Sequence, residues 1–219
     1  MFLAIPNVLT PAEADAIRTA AAAMPFGDGR ASAGKYAREV KANDQAAPSD
    51  ALEAARGKVR QALAGNGVFA SAARPLAMTP LILSRYRQGQ TYGTHIDDAM
   101  MGGIRTDLSF TLFLSDPATY DGGALVIEDT FEPRAVRLNP GDLMLYPSTT
   151  LHRVDPVTRG ERLAVVGWVQ SLIRDAGQRE ILFDLDRSVA HVHATEGKSD
   201  LFDMLAKTRS NLIRLWAEA

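Results

Sequence analysis

Leu81-Ile82-Leu83-Ser84-Arg85-Tyr86-Arg87-Gln88-Gly89-Gln90-Thr91-Tyr92-Gly93-Thr94-His95-Ile96-Asp97 is the stretch on which the reading of this chain turns. Leu81 to Tyr86 reads as a strand and Gln88-Gly89-Gln90 as a turn. Thr91 to Ile96 then resumes extended chain rich in Tyr and Thr. Residues two apart on a strand point to the same face, so His95 and Asp97 are presented together and can grip one metal ion from one side. A second histidine from a distant strand, His152, completes a face of three ligands and leaves the opposite face open. That two-histidine, one-carboxylate set suits non-haem Fe(2+) and dioxygen chemistry. Spacing alone is a weak signal. Acids are 26 of 219 residues and histidines four, so about half a match of this kind is expected by accident. The competing reading is a hydrogen-bonded surface pair; the strand-turn-strand context favours the metal.

Working outward, residues 79 to 170 alternate short β-rich runs with turn signals. The runs are Leu108–Ser115, Ala124–Glu128, Ala135–Leu138, Leu143–Tyr146, Leu151–Val154 and Leu163–Gln170. Asp116-Pro117, Asp121-Gly122-Gly123, Asn139-Pro140-Gly141-Asp142 and Thr158-Arg159-Gly160 punctuate them. Many short strands with regular breaks predict a sandwich or barrel, with a jelly roll as the natural candidate.

Helical signals flank this region. Thr10-Pro11-Ala12-Glu13 places a capping threonine, a first-turn proline and a glutamate three residues after the cap, so a helix starts there and stops near Met24-Pro25. Residues 26 to 47 have no helical period and predict an irregular strand pair leading to a surface loop. A second helix is expected from Ser49 or Asp50 to Ala64, ended by Gly65-Asn66-Gly67. Ile181, Leu185, Val189 and Val192, then Leu201, Leu205, Leu212 and Trp216, keep helical spacing on either side of Gly197-Lys198-Ser199. They predict an antiparallel pair packed on the sheet or on another subunit, which makes a homo-oligomer through these helices an expectation. The division is 1–77, an N-terminal helical and irregular segment packing on the core; 78–172, the jelly-roll core; and 173–219, a C-terminal helical extension. The fold class is mainly β with flanking helices.

Composition excludes several classes. At 46% hydrophobic content, a chain of this length buries roughly 70% of its unfolded surface in one sizeable core. A formal charge of −2 with scattered basic residues gives no footprint for nucleic acid. The absence of cysteine removes thiolate metal sites and disulfides. No apolar run approaches the ~18 residues that a membrane span needs, and Met1 to Leu9 lacks the basic start of a signal peptide. Cytoplasmic placement is the expectation.

Arg162 opens the apolar strand that follows His152. Neighbouring strands lie about 4.8 Å apart, so a folded-back connection would set this arginine in the barrel, deeper than the histidine. A buried arginine needs an anionic partner, and no fixed acid is obvious in the adjacent strands. A ferrous ion with one aspartate carries one surplus positive charge and Arg162 a second. A dicarboxylate such as 2-oxoglutarate neutralises both, and the planar guanidinium matches a carboxylate through two parallel hydrogen bonds. The competing reading pairs Arg162 with Asp155 or Glu161 at a strand edge.

The ordered set Arg85-Tyr86, Gly89-Gln90, Tyr92, His95-Ile96-Asp97, Asp121-Gly122-Gly123-Ala124-Leu125, Pro140-Gly141-Asp142-Leu143, Tyr146-Pro147-Ser148, His152 and Arg162 resembles the Fe(II)/2-oxoglutarate-dependent dioxygenases of the prolyl 4-hydroxylase type. The likeness is closest to their PKHD-type hydroxylase branch. It extends to Asp28-Gly29-Arg30, Val40-Lys41, Arg105-Thr106-Asp107-Leu108-Ser109 and Leu112-Phe113-Leu114-Ser115-Asp116-Pro117, and so covers nearly the whole chain. The resemblance implies a double-stranded β-helix (a jelly roll). It implies Fe(2+) on His95, Asp97 and His152, and the distal carboxylate of 2-oxoglutarate on Arg162, with Tyr86 assisting. It further implies L-ascorbate as the reductant that restores oxidised iron. The implied reaction couples decarboxylation of 2-oxoglutarate to succinate and CO2 with hydroxylation of a small-molecule or peptidyl substrate by dioxygen. The alternative from another class is a non-catalytic jelly-roll sensor of iron or 2-oxoglutarate.

Other polar residues earn bland readings. His191 and His193 lie about 200° apart on a helix and cannot easily share an ion. Asp98 should face away from Asp97, with a hydrogen-bonding or capping role. Asp107 reads as structural, Gly122-Gly123 as a turn or a close approach to the site, and Trp168 and Trp216 as core or interface residues.

Overall fold

The computed structural model describes residues 1–129 and 131–218. Two antiparallel sheets dominate it. The larger follows the order β1 (Leu3–Ile5), β14 (Leu143–Pro147), β10 (Leu108–Phe113), β17 (Glu161–Ser171), β6 (Ile82–Arg87), β4 (Asp44–Ala46) and β2 (Phe26–Asp28), with β5 (Pro75–Met78) also pairing with β17. The smaller follows the order β13 (Arg134–Val136), β12 (Leu125–Ile127), β15 (His152–Val154), β7 (Thr91–His95) and β3 (Lys41–Ala42). Two short ribbons, β11 (Asp121–Gly122) with β16 (Val157–Arg159) and β8 (Met100–Met101) with β9 (Ile104–Arg105), close the loops between them. This is the jelly roll expected from the pattern of strands and turns.

Alternation along the central strands assigns the two faces of the large sheet. Leu81, Leu83, Leu108, Phe110, Leu112, Leu143, Leu145, Leu163, Val165 and Val169 are buried in one cluster with Ile17, Leu52, Val59, Leu63 and Phe69 from the helices. Each such side chain contributes about 2 kcal/mol on leaving water. The intervening positions, Ser84, Tyr86, Ser109, Thr111, Tyr146, Arg162 and Trp168, line a cavity on the opposite face. The strand Leu108–Phe113 is buried throughout yet carries Ser109 and Thr111, which is the mark of a polar interior on its second side.

The helices form as their caps dictate. In α1 (Pro11–Ala21) Thr10 and Glu13 make the full reciprocal capping box. Ser49 caps α2 (Asp50–Gly65). The chain does break at Asn66, but Asn66 also caps a further helix, α3 (Gly67–Ala73), which the Gly65-Asn66-Gly67 terminator had concealed. A seven-residue helix is too short to show a period, and its anchor is the buried Phe69, edge-on to Phe110 at 5.9 Å. Residues 26 to 47 form the β2–β4 strand pair, with two 3-10 turns between its arms. The C-terminal helices α4 (Ala176–Glu196) and α5 (Asp200–Trp216) fold back on each other, and α4 rests on α3. Asp186 of α4 ties this hairpin down through Arg74, Ser71 and Arg209. Among the described residues, no helix is long and apolar enough to cross a membrane.

Candidate metal centre

His95 ends β7 and His152 begins β15, and the register of these neighbouring strands sets the two residues opposite each other. Their rings lie 4.3 Å apart, centroid to centroid. Each Nδ1 meets a backbone carbonyl two residues earlier, Gly93 at 2.8 Å for His95 and Thr150 at 3.0 Å for His152. A carbonyl only accepts, so each Nδ1 carries a proton, and Nε2 is the atom that bears the lone pair in the neutral ring. Asp97 lies beyond the end of its strand. Its Oδ1 is 4.0 Å from His95 Nε2 and its Oδ2 is 3.7 Å from His152 Nε2. One donor atom from each of the three residues lies within 4.8 Å of the others. No other such group occurs among the described residues, and His191 and His193 take no part.

Neighbours hold this trio in place. Ser109 Oγ donates to Asp97 Oδ2 at 2.6 Å and lies 2.8 Å from Ser148 Oγ. The Tyr92 ring stacks on His95 at 3.5 Å, and Tyr146 meets His152 edge-on at 5.1 Å. Burial, followed by the adjacent His152, pulls the His95 imidazole down to about 4. The ring is therefore neutral at physiological pH and has no proton to shed before binding a cation. Burial pushes the Tyr92 and Tyr146 phenols up, with Asp97 next in effect, so both stay protonated.

Arg162 is 1% exposed and lines the same cavity as the trio. Its guanidinium sits 5.3 Å from the Tyr86 ring centre and 5.2 Å from that of Phe113. Its Nε is buried with no hydrogen-bond partner, and among the described residues no carboxylate pairs with it. The two acids that could have quenched it are engaged elsewhere: Asp155 with Arg153, and Glu161 with Arg85 and Arg87. Gly123 has φ +61°, and a Cβ there would stand 3.2 Å from Arg162 Cδ, so this glycine admits the arginine stem. Burial raises the Tyr86 phenol while Arg162 opposes the rise.

Several residues of the site were not foreseen. Lys41 is 8% exposed, hydrogen-bonds Ser32 Oγ at 3.0 Å and lies 4.6 Å from the Tyr92 ring centre. Desolvation lowers its ammonium to about 8. Trp168, expected in the core or an interface, lines the cavity instead, since it shares the inward face of β17 with Arg162. Asp98 also lines the cavity, because the strand stops at His95 and its alternation of faces does not carry on. Asp107 is structural, pairing with Arg105 and accepting from the Ser171 amide.

Residues 81–170 match the model of the 2OG-Fe(II) oxygenase superfamily, and residues 176–218 match that of the PKHD-type hydroxylase C-terminal domain. A PKHD-type hydroxylase from Picosynechococcus sp. is 49% identical over 219 residues, and one from Maricaulis maris is 47% identical over 218; both alignments span 100% of each chain. The chain belongs to the PKHD-type hydroxylase family. It is an Fe(II)- and 2-oxoglutarate-dependent dioxygenase by that membership. Among solved structures, a Pseudomonas putida prolyl-4-hydroxylase superposes with TM-score 0.54 at 20% identity, covering 78% of this chain and 92% of that one. HygX from Streptomyces hygroscopicus, solved with nickel and 2-oxoglutarate bound, gives TM-score 0.56 at 16% identity over 78% and 84%. Both likenesses show the shared jelly roll. The C-terminal helical pair of this PKHD-type hydroxylase coincides with the second family segment.

Proposed function

We propose that this hydroxylase holds Fe(II) on His95, Asp97 and His152, and anchors the distal carboxylate of 2-oxoglutarate on Arg162 with Tyr86 beside it. The donor set fits the ion: two imidazole Nε2 atoms and a carboxylate, with no thiolate in the chain and one face left open. The single observation that carries the reading is Arg162, a buried cation without an acid, in the cavity that the trio lines. A dicarboxylate supplies the missing charge.

When bound, the iron and the keto acid supply the oxidising power that hydroxylates a substrate C–H bond, with succinate and CO2 as co-products. The protein's own part is positional. The Gly93 and Thr150 carbonyls hold the two imidazoles in one tautomer, and Ser109 orients Asp97. Tyr86, Leu125, Val154 and Val166 line the cavity around Arg162 with largely apolar surface and limit water there. L-Ascorbate is the reductant we assign for keeping the iron ferrous. The substrate is a small molecule or a peptidyl group.

Anaerobic addition of Fe(II) and 2-oxoglutarate should produce a visible charge-transfer band, and admission of dioxygen should then yield succinate. A band without any succinate would favour a sensor over a catalyst. Absence of the band would reject the site.

A further inference from the structure

Lys41 has no role in holding the iron or the keto acid, yet it is buried in their cavity. It sits on β3, the edge strand of the small sheet, where it pairs in register with Tyr92, whereas Arg162 belongs to the large sheet. Its one hydrogen bond goes to Ser32 Oγ. That hydroxyl also accepts from Gln45 Nε2 at 2.7 Å and donates to the Gly29 carbonyl at 3.1 Å, so it can do nothing more for the ammonium. Among the described residues the other two Lys41 N–H groups have no hydrogen-bond partner, and the Tyr92 ring, 4.6 Å away, is the further group that meets the ammonium.

Among the described residues no carboxylate forms an ion pair with Lys41, although Asp97 and then Asp28 act on its charge through space. Asp28 is committed to Arg30 through three hydrogen bonds from its side chain. Asp97 is assigned to the metal. Asp98, the other acid on the cavity wall, is exposed and forms no ion pair with Lys41, so water meets its charge. With Fe(II), Asp97, Arg162 and 2-oxoglutarate the deep part of the cavity is electrically neutral. Lys41 then stands as a surplus buried cation, and such a group calls for an anion. Ser32, Ala33 and Ala37 line the wall around it with small side chains, while the Asp98 carboxylate stands against Gly34.

We propose that Lys41 is the specificity-determining residue of this hydroxylase and that it binds a carboxylate of the substrate, fixing the substrate on the wall formed by residues 32–41. This rests on the function assigned above and names the substrate class: an organic acid, either free or as the acidic side chain of a peptide.

The test uses the full chain loaded with redox-inert Zn(II) and 2-oxoglutarate. Acetate and acetamide are titrated at constant ionic strength while the fluorescence of Trp168, which lines the same cavity, is followed. Acetate should give a saturable response and acetamide none. Lys41→Met should weaken the acetate response about tenfold or more, and Lys41→Arg should retain it. Free glutamate and an end-blocked glutamyl tripeptide then distinguish the two sources of the carboxylate. No saturable acetate response, equal responses to acetate and acetamide, or a Lys41→Met protein that responds like wild type would overturn the proposal. So would a Lys41→Met protein with weakened 2-oxoglutarate binding, which would assign the lysine to the co-substrate. A wild-type protein that binds no 2-oxoglutarate at all would instead reject the underlying function.

Discussion

Replacing Arg162 by methionine should move ligand affinity and stability in opposite directions. The guanidinium is 1% exposed, its Nε has no partner, and the rings of Tyr86 and Phe113 flank it. In the ligand-free protein it is therefore a buried charge held at a cost. Methionine removes that charge and fills much of the same space, so the ligand-free variant should be as stable as wild type or up to about 3 kcal/mol more stable. With 2-oxoglutarate the sign reverses, because the distal carboxylate loses its only cationic partner. The loss should be about 3 kcal/mol, or roughly two orders of magnitude in affinity. Arg162→Lys should fall between, since a point charge replaces a planar fork. Anaerobic titration of the Fe(II)-loaded protein with 2-oxoglutarate, followed by its visible absorbance, reads the affinity; thermal unfolding without ligand reads the stability. Unchanged affinity would place the carboxylate elsewhere. A ligand-free variant several degrees less stable than wild type would mean that Arg162 has a structural partner and that the charge argument is wrong.

Other outcomes follow from the same geometry. His95→Ala and Asp97→Ala should lose bound iron, measured by elemental analysis after gel filtration, while keeping wild-type circular dichroism. Ser109→Ala removes the hydroxyl that orients Asp97 and should weaken metal binding by about ten- to a hundredfold in a competition titration. Gly122→Ala should destabilise the fold by about 2 kcal/mol or more in a denaturant series, because φ there is +71° and a Cβ would meet the Pro156 carbonyl oxygen at 2.0 Å. His95 has a folded value of about 4 against an ordinary 6.5, so the unfolded chain binds more protons between those limits. The metal-free protein should hold its stability above about pH 6.5 and lose part of it as pH falls towards 4. His95→Gln should flatten that slope in urea melts.

Legibility followed the range of the interactions. Thr10, Ser49 and Ser199 cap their helices through bonds three residues away, and such signals stand in the chain itself. The strand-turn-strand around Gly89 and the alternation of Leu81 and Leu83 with Ser84 and Tyr86 are equally local. His95 and Asp97 come together for a reason the pattern did not contain. The strand ends at His95, and it is Ser109, from the other sheet, that meets the Asp97 carboxylate. Polar residues at alternate positions of Leu108-Ser109-Phe110-Thr111-Leu112 were the available hint of that polar interior. Lys41 was out of reach because its burial depends on pairing with Tyr92, 51 residues away in the chain. Trp168 looked like an ordinary core aromatic until the direction of Arg162 fixed which face of its strand lines the cavity.

A crystal structure of the protein with Mn(II) and 2-oxoglutarate examines the central claim most directly. It should place one metal ion on His95 Nε2, His152 Nε2 and an Asp97 carboxylate oxygen, with the far carboxylate of the keto acid against the Arg162 guanidinium. A metal bound by other side chains, or a keto acid whose distal carboxylate lies on Lys41 instead of Arg162, would contradict it.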